Sequence, residues 1–276
     1  MRFALPLLIA AALSAAAPAV GQAPVGDDVY VLAGATVKPV AMAAWADGAT
    51  VKSAMGADAA KAPASAVKYS AKTAPWATGC VRVLTFSAAS GGVLHPITDE
   101  TLLYVLAGAA QVDVAGKPAM LAQGDVVSAP AGALRNAGGA ADAVIVTWNA
   151  KVLSGEATPT HIKGADVKEG GGGGLALKRY ELPGNSVRAV RLTAGTKTNP
   201  NSAKTDSLIY MTSGNLRFFQ NGKEFNVTAG DFIRELAGLM HNWDVTENSS
   251  FVTTSALPIG AGPIDPAKAT DRPPEK

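Results

Sequence analysis

The sequence is short of several things, and each shortage excludes something. Cys80 is the only cysteine in 276 residues, so no internal disulfide can form in any compartment, and stability has to come from the core. Charged residues make up only 17 % of the chain and the formal net charge is +2, with no basic stripe. That leaves no electrostatic footprint for nucleic acid or for an anionic membrane. Histidine occurs three times, as His95, His161 and His241. Neither half of the chain carries a convincing helical period, and beyond its front the chain has no long apolar run.

The front is different. Met1-Arg2 is followed by FALPLLIAAALSAAAPAVGQA, a basic start, an apolar run and small residues, as in a secretory signal peptide. The rival reading, a membrane anchor, is weakened by Pro6 and Pro18 and by a run barely long enough to span. Cleavage after Ala19 or Ala23 would export the chain to a periplasmic or external space, with no membrane attachment afterwards.

At 48 % hydrophobic, the remainder is long enough for two ordinary cores. Set against itself, it repeats. CVRVLTFSA at 80–88 lies over SVRAVRLTA at 186–194, an offset of 106. At the same offset ETLLYVLAG (100–108) lies over DSLIYMTSG (206–214), and GDVVSAPAGALRN (124–136) over GDFIRELAGLMHN (230–242). Short apolar or β-branched runs alternate with turn signals such as NGK, QGD and PAG, which predicts an all-β pair of sandwiches or barrels. Between the copies, KEGGGGG reads as a flexible linker, and it lacks the Lys-Ser/Thr ending of a phosphate loop. The resulting layout is a leader at 1–23, an N-terminal segment with one strand at 24–75, a first unit at 76–155, a linker at 156–176, a second unit at 177–262, and a tail at 263–276. An exposed edge at 29–37 would be a place for a second copy of the chain to pair.

The repeated unit resembles the cupin family in its YVLAG strand and its GD…P-x-G run, and two copies resemble a bicupin. The resemblance implies two tandem double-stranded β-helix (jelly-roll) barrels, each with a pocket at its mouth. In metal-binding members three His and one Glu converge on a divalent ion. Carried across residue by residue, the first copy offers Val93 and His95, Glu100 and Arg135, and the second Asn199 and Asn201, Asp206 and His241. Each copy thus keeps one imidazole and one carboxylate, too few to hold a transition metal against water, and Arg135 would repel one. Arg135 would instead pair with Glu100, and His241 with Asp206, the pair that remains the weaker metal alternative.

The expectation is an exported bicupin with degenerate metal sites, without a resident cofactor, binding a small polar or anionic ligand or serving as a structural pair of barrels. The ligand-binding residues would be His95, Glu100 and Arg135 in one pocket and Asn199, Asn201, Asp206 and His241 in the other. The alternative is a divalent-metal-dependent cupin enzyme, an oxidoreductase, decarboxylase or isomerase, using the second barrel. Bland readings stand for the rest: His161 is solvated in the linker, Arg82 and Arg188 are rim charges, Tyr104 and Tyr210 are core aromatics, and packing accounts for Trp148 and Trp243.

Overall fold

The computed structural model describes residues 26, 29–41, 69–76, 79–88, 95–97, 101–114, 117–129, 132–136, 141–149, 159–182 and 185–256. The leader, the tail and Glu100 lie outside them. The first half contributes β1 (Val31–Leu32), β2 (Val40–Ala41), β3 (Tyr69–Trp76), β4 (Gly79–Phe86), β5 (His95–Ile97), β6 (Thr101–Ala107), β7 (Ala109–Val114), β8 (Lys117–Ala122), β9 (Val126–Ala129), β10 (Gly132–Asn136) and β11 (Ala143–Asn149). The second half contributes β12 (Thr160–Ile162), β13 (Glu169–Gly172), β14 (Leu175–Leu182), β15 (Asn185–Leu192), β16 (Asn201–Ser202), β17 (Asp206–Ser213), β18 (Asn215–Gln220), β19 (Lys223–Thr228), β20 (Phe232–Glu235), β21 (Met240–Val245) and β22 (Ser249–Ala256). No helix among the described residues is long and apolar enough to cross a membrane.

Each barrel joins a seven-stranded sheet to a four-stranded one. Barrel 1 has the orders β12-β9-β6-β11-β4-β3-β2 and β5-β10-β7-β8. Barrel 2 has β1-β20-β17-β22-β15-β14-β13 and β16-β21-β18-β19. Along each strand of the large sheets, alternate side chains face opposite ways, as a pleated strand requires. In barrel 1, Leu103, Val105 and Leu84 face inward into one apolar cluster, while Leu102, Val81 and Val83 face outward. In barrel 2, Ile209, Met211 and Val190 face inward, while Leu208, Val187 and Val252 face outward. The two outward faces merge into a third cluster that contains Trp148, Tyr180 and Phe232, so the barrels share a core. Trp148 Nε1 crosses that interface and donates to the Leu208 carbonyl at 3.0 Å. Tyr104 and Tyr210 pack against the same cluster, and burial raises the pKa of both hydroxyls, as befits core aromatics.

The two segments that lead into the repeats change partners. β1 precedes barrel 1 in sequence yet pairs with β20 of barrel 2, and β12 precedes barrel 2 yet pairs with β9 of barrel 1. The arms end in matched contacts. The Gly34 amide donates to Asp231 Oδ1 at 2.7 Å, and the Gly164 amide to Asp125 Oδ1 at 2.8 Å. Lys72 Nζ caps the Gly34 carbonyl and Lys178 Nζ the Gly164 carbonyl, at 3.2 and 2.8 Å. The edge expected to recruit a second chain is therefore taken up by the other barrel of the same chain.

The glycine run is not a free linker either. Gly172 and Leu175 pair across a two-residue turn, Gly173–Gly174, whose φ values of 59° and 86° are those a tight hairpin needs and only glycine adopts without strain. Its length suits a linker, but as an extended edge strand it closes the large sheet of barrel 2. His161 is exposed, as expected, and from β12 its Nε2 lies 2.9 Å from Asp125 Oδ2.

Candidate functional site

Barrel 2 holds a cavity of about 220 Å³ between its two sheets. One wall is apolar, made by Leu175, Leu177, Val190, Leu192, Trp243 and Phe251. The two aromatic rings stack at 5.4 Å, and Phe218 supports Trp243 from behind at 4.5 Å. The other lining is polar: Arg188, Thr198, Asn201, Glu235, His241 and Thr253.

Strand alternation explains why these residues point inward. Arg188 shares its face of β15 with Val190 and Leu192, and Glu235 shares its face of β20 with the interior residue Ile233. Arg188, expected at the rim, is thus a cavity residue. Burial lowers its pKa, and the nearby Glu235 carboxylate opposes that shift, though a guanidinium stays charged at any ordinary pH. His241 is buried, with Nε2 3.4 Å from Glu235 Oε1 and Nδ1 3.4 Å from the Leu239 carbonyl. Both contacts are long, so neither ring nitrogen is tightly held.

The expected His241–Asp206 pair does not form. Asp206 precedes Ser207, Ile209 and Met211 by an odd step, so it falls on the outward face with Leu208. There Arg234 Nε donates to its Oδ2 at 3.1 Å and the Ala237 amide to its Oδ1 at 2.9 Å, an ion pair buried on both sides. Ser207 occupies the inward position instead, opposite Glu235 across the ladder. Its Oγ is buried without a hydrogen-bond partner among the described residues. Asn201 lines the cavity mouth in register with His241, whereas Asn199 is exposed and only lends its carbonyl to Asn201 Nδ2 at 3.3 Å.

In barrel 1 the matched residue is also different from the expected one. Arg135 pairs with Gln111 on β7, and its Nε donates to Gln111 Oε1 at 2.9 Å. Adding the repeat offset to Gln111 gives Arg217, whose partner in barrel 2 is Asp244, with which it forms an ion pair. Against β7, Arg135 thus takes the place that Asp244 takes against β18, and Gly132, opposite Val114, the place of His241, opposite Gln220, whereas against β5 it is Leu134, opposite His95, that takes the place of His241, opposite Asn201. The connection between β9 and β10, residues 130–131, is two residues shorter than that between β20 and β21, 236–239, and β10 does not keep the repeat offset against either neighbour. Leu134 and Ile97 turn inward, and with Tyr69 and Phe86, stacked at 4.8 Å, they belong to the hydrophobic cluster of barrel 1. His95 sits on β5 opposite Leu134, and Glu100, the expected partner of Arg135, lies outside the described residues.

Metal-binding cupins offer a test of fit. Within the barrel 2 cavity only His241 and Glu235 are good metal donors, a permanent guanidinium stands in the same space, and Asp206 is consumed by Arg234. Among the described residues no group of three or more His, Cys, Asp or Glu side chains is placed to hold an ion. Two donors beside a cation do not fit a divalent metal.

Glu235, Arg188 and Ser207 escape a reading by motif. The signal that finds them is alternation along GDFIRE, VRAVRL and DSLIYM, counted from the apolar residues that must face the core.

Seen as a whole, the molecule is a pair of double-stranded β-helix barrels packed sheet to sheet, with an amphipathic cavity in the second. Its fold is the cupin fold in two-barrel form. No protein-family model and no curated protein sequence matches the chain. Solved structures do match it in shape. A protein from Pseudomonas aeruginosa described as glyoxylate-induced is 12 % identical with a TM-score of 0.63, over 87 % of this chain and 94 % of that one. A mutant of Bacillus subtilis oxalate decarboxylase is 12 % identical with a TM-score of 0.60, over 88 % of this chain and 81 % of the other. Streptomyces albus HEPD, solved with 2-hydroxyethylphosphonate and Fe(II) bound, is 8 % identical with a TM-score of 0.58, over 71 % and 72 %. At these identities the likeness concerns the fold, and function has to be argued from the site.

Proposed function

We propose that this protein is a metal-independent small-molecule binder that uses barrel 2 and keeps barrel 1 as a structural partner. The observation that carries the reading is the cavity itself, which sets Arg188 beside an apolar wall in a space of about 220 Å³. At ~30 Å³ per water that is room for about seven waters, and so for a compact ligand. A guanidinium presents a planar fork to a carboxylate and is permanently charged, so a small carboxylate with a short apolar body suits both ends of the cavity. Export belongs to the same reading, supported by the basic start and apolar run at residues 1–23.

The test is calorimetric titration of the mature chain with short branched and unbranched monocarboxylates. Binding at one site, weakened at least tenfold in Arg188→Met, is expected. A panel in which no carboxylate binds, or in which Arg188→Met binds as the parent does, removes the proposal.

A further inference from the structure

Resting on that reading of the cavity, we infer that its ligand is a zwitterion: a free α-amino acid with a small aliphatic side chain, held by Arg188 at its carboxylate and by Glu235 at its ammonium group. The cavity contains one permanent cation and one carboxylate side chain. The two come from strands that are not neighbours. Arg188 is on β15 and Glu235 on β20, and β17 and β22 lie between them in the sheet. Three strand spacings amount to roughly 14 Å of backbone, so the two charges reach toward each other from separate parts of the curved wall.

A ligand bearing only a carboxylate adds a second anion to a space that already contains Glu235, and in a cavity walled by leucines and aromatics that repulsion is weakly screened. An ammonium group on the same molecule turns the repulsion into attraction and gives Glu235 a charge-assisted partner. His241 leaves room for this, because its 3.4 Å contact with Glu235 is too long to saturate the carboxylate. Ser207 Oγ, opposite Glu235 in the ladder and buried without a partner among the described residues, is a further hydrogen-bonding atom on that side. The aliphatic side chain would lie against Leu177, Val190 and Leu192, in contact with the Trp243–Phe251 stack.

The experiment uses the mature full-length chain and L-alanine, L-valine and L-leucine, each beside the carboxylic acid that lacks its ammonium group and the amine that lacks its carboxylate. For valine these are isovalerate and isobutylamine. At least one amino acid should bind tenfold or more tighter than both of its single-charge relatives. In Glu235→Gln that advantage over the acid should vanish while the affinity for the acid itself is kept or improved. Acids that bind as tightly as their amino acids, or an amino-acid preference that survives in Glu235→Gln, overturn the zwitterion while leaving carboxylate binding intact. If none of the nine compounds binds, both readings fall. Should Glu235→Gln not fold, the comparison of the three ligand types on the unaltered protein still decides.

Discussion

Gly34 and Asp231, 197 residues apart in sequence, are joined by a 2.7 Å hydrogen bond from the glycine amide to the carboxylate, and Gly164 and Asp125 repeat the contact in the other barrel. A side chain has no space at Gly34, where a Cβ would stand 1.9 Å from the Gly230 carbonyl oxygen. Asp231→Ala leaves the buried amide without its acceptor and should cost about 1–3 kcal/mol. Gly34→Ala should cost more, because the arm must lift off the turn. Urea denaturation of the two variants beside the parent checks both, and a Gly34→Ala midpoint equal to the parent's would contradict the tight approach.

Asp125 supplies a pH dependence. Burial pushes its pKa up, but hydrogen bonds from the Gly164 and Ala122 amides and from His161 outweigh it, so the net shift is downward from 3.8. A carboxylate depressed in the folded state stabilises above its unfolded pKa and loses that contribution as pH falls through the folded one. The stability advantage of the parent over Asp125→Asn should therefore shrink as the pH falls below about 4. A difference that grows in acid would contradict the assignment.

The shared core between the barrels depends on Trp148, which is fully buried and bonded to the Leu208 carbonyl of the opposite barrel. Trp148→Ala should cost about 3–5 kcal/mol. Because the cavity it opens touches both barrels, they should still unfold in one transition, followed by fluorescence and by circular dichroism together. Two separated transitions in the parent protein would show that the common core does not couple the halves.

The placement of Ser207 can be tested by building a donor set around it. Asn201→His combined with Ser207→Glu surrounds the inward-facing His241 with enough imidazole and carboxylate to grip a divalent ion. That double variant should copurify with stoichiometric manganese, nickel or zinc by elemental analysis. The pair Asn201→His and Asp206→Glu should not, since position 206 faces the other way.

Sequence pattern reached the fold because a duplicated register leaves its imprint on strand after strand, and the turns at NGK and at the two G-D steps keep it aligned. It reached the second pocket's address, through His241 and Asn201, but assigned the wrong carboxylate. Asp206 and Ser207 differ by one position, and on a pleated strand one position is the difference between the cavity and the opposite face. Arg135 misled for another reason. The letters G-A-L-R-N and G-L-M-H-N align, yet with its shorter connection from β9 the strand β10 does not keep the repeat offset against either neighbour, so similarity in the string and equivalence in space diverge. The exchange of arms was hidden because nothing local in V-L-A-G or H-I-K-G says which barrel will receive it.

That exchange sets the smallest piece of the chain that can stand by itself. A polypeptide cut between the repeats would give two fragments, each carrying the border strand its sibling requires and missing its own. Either fragment would be left with an open ladder and a bare glycine-lined notch, a shape made for capturing its complement. The heritable module is thus the whole doublet, and mixing the severed halves should restore it.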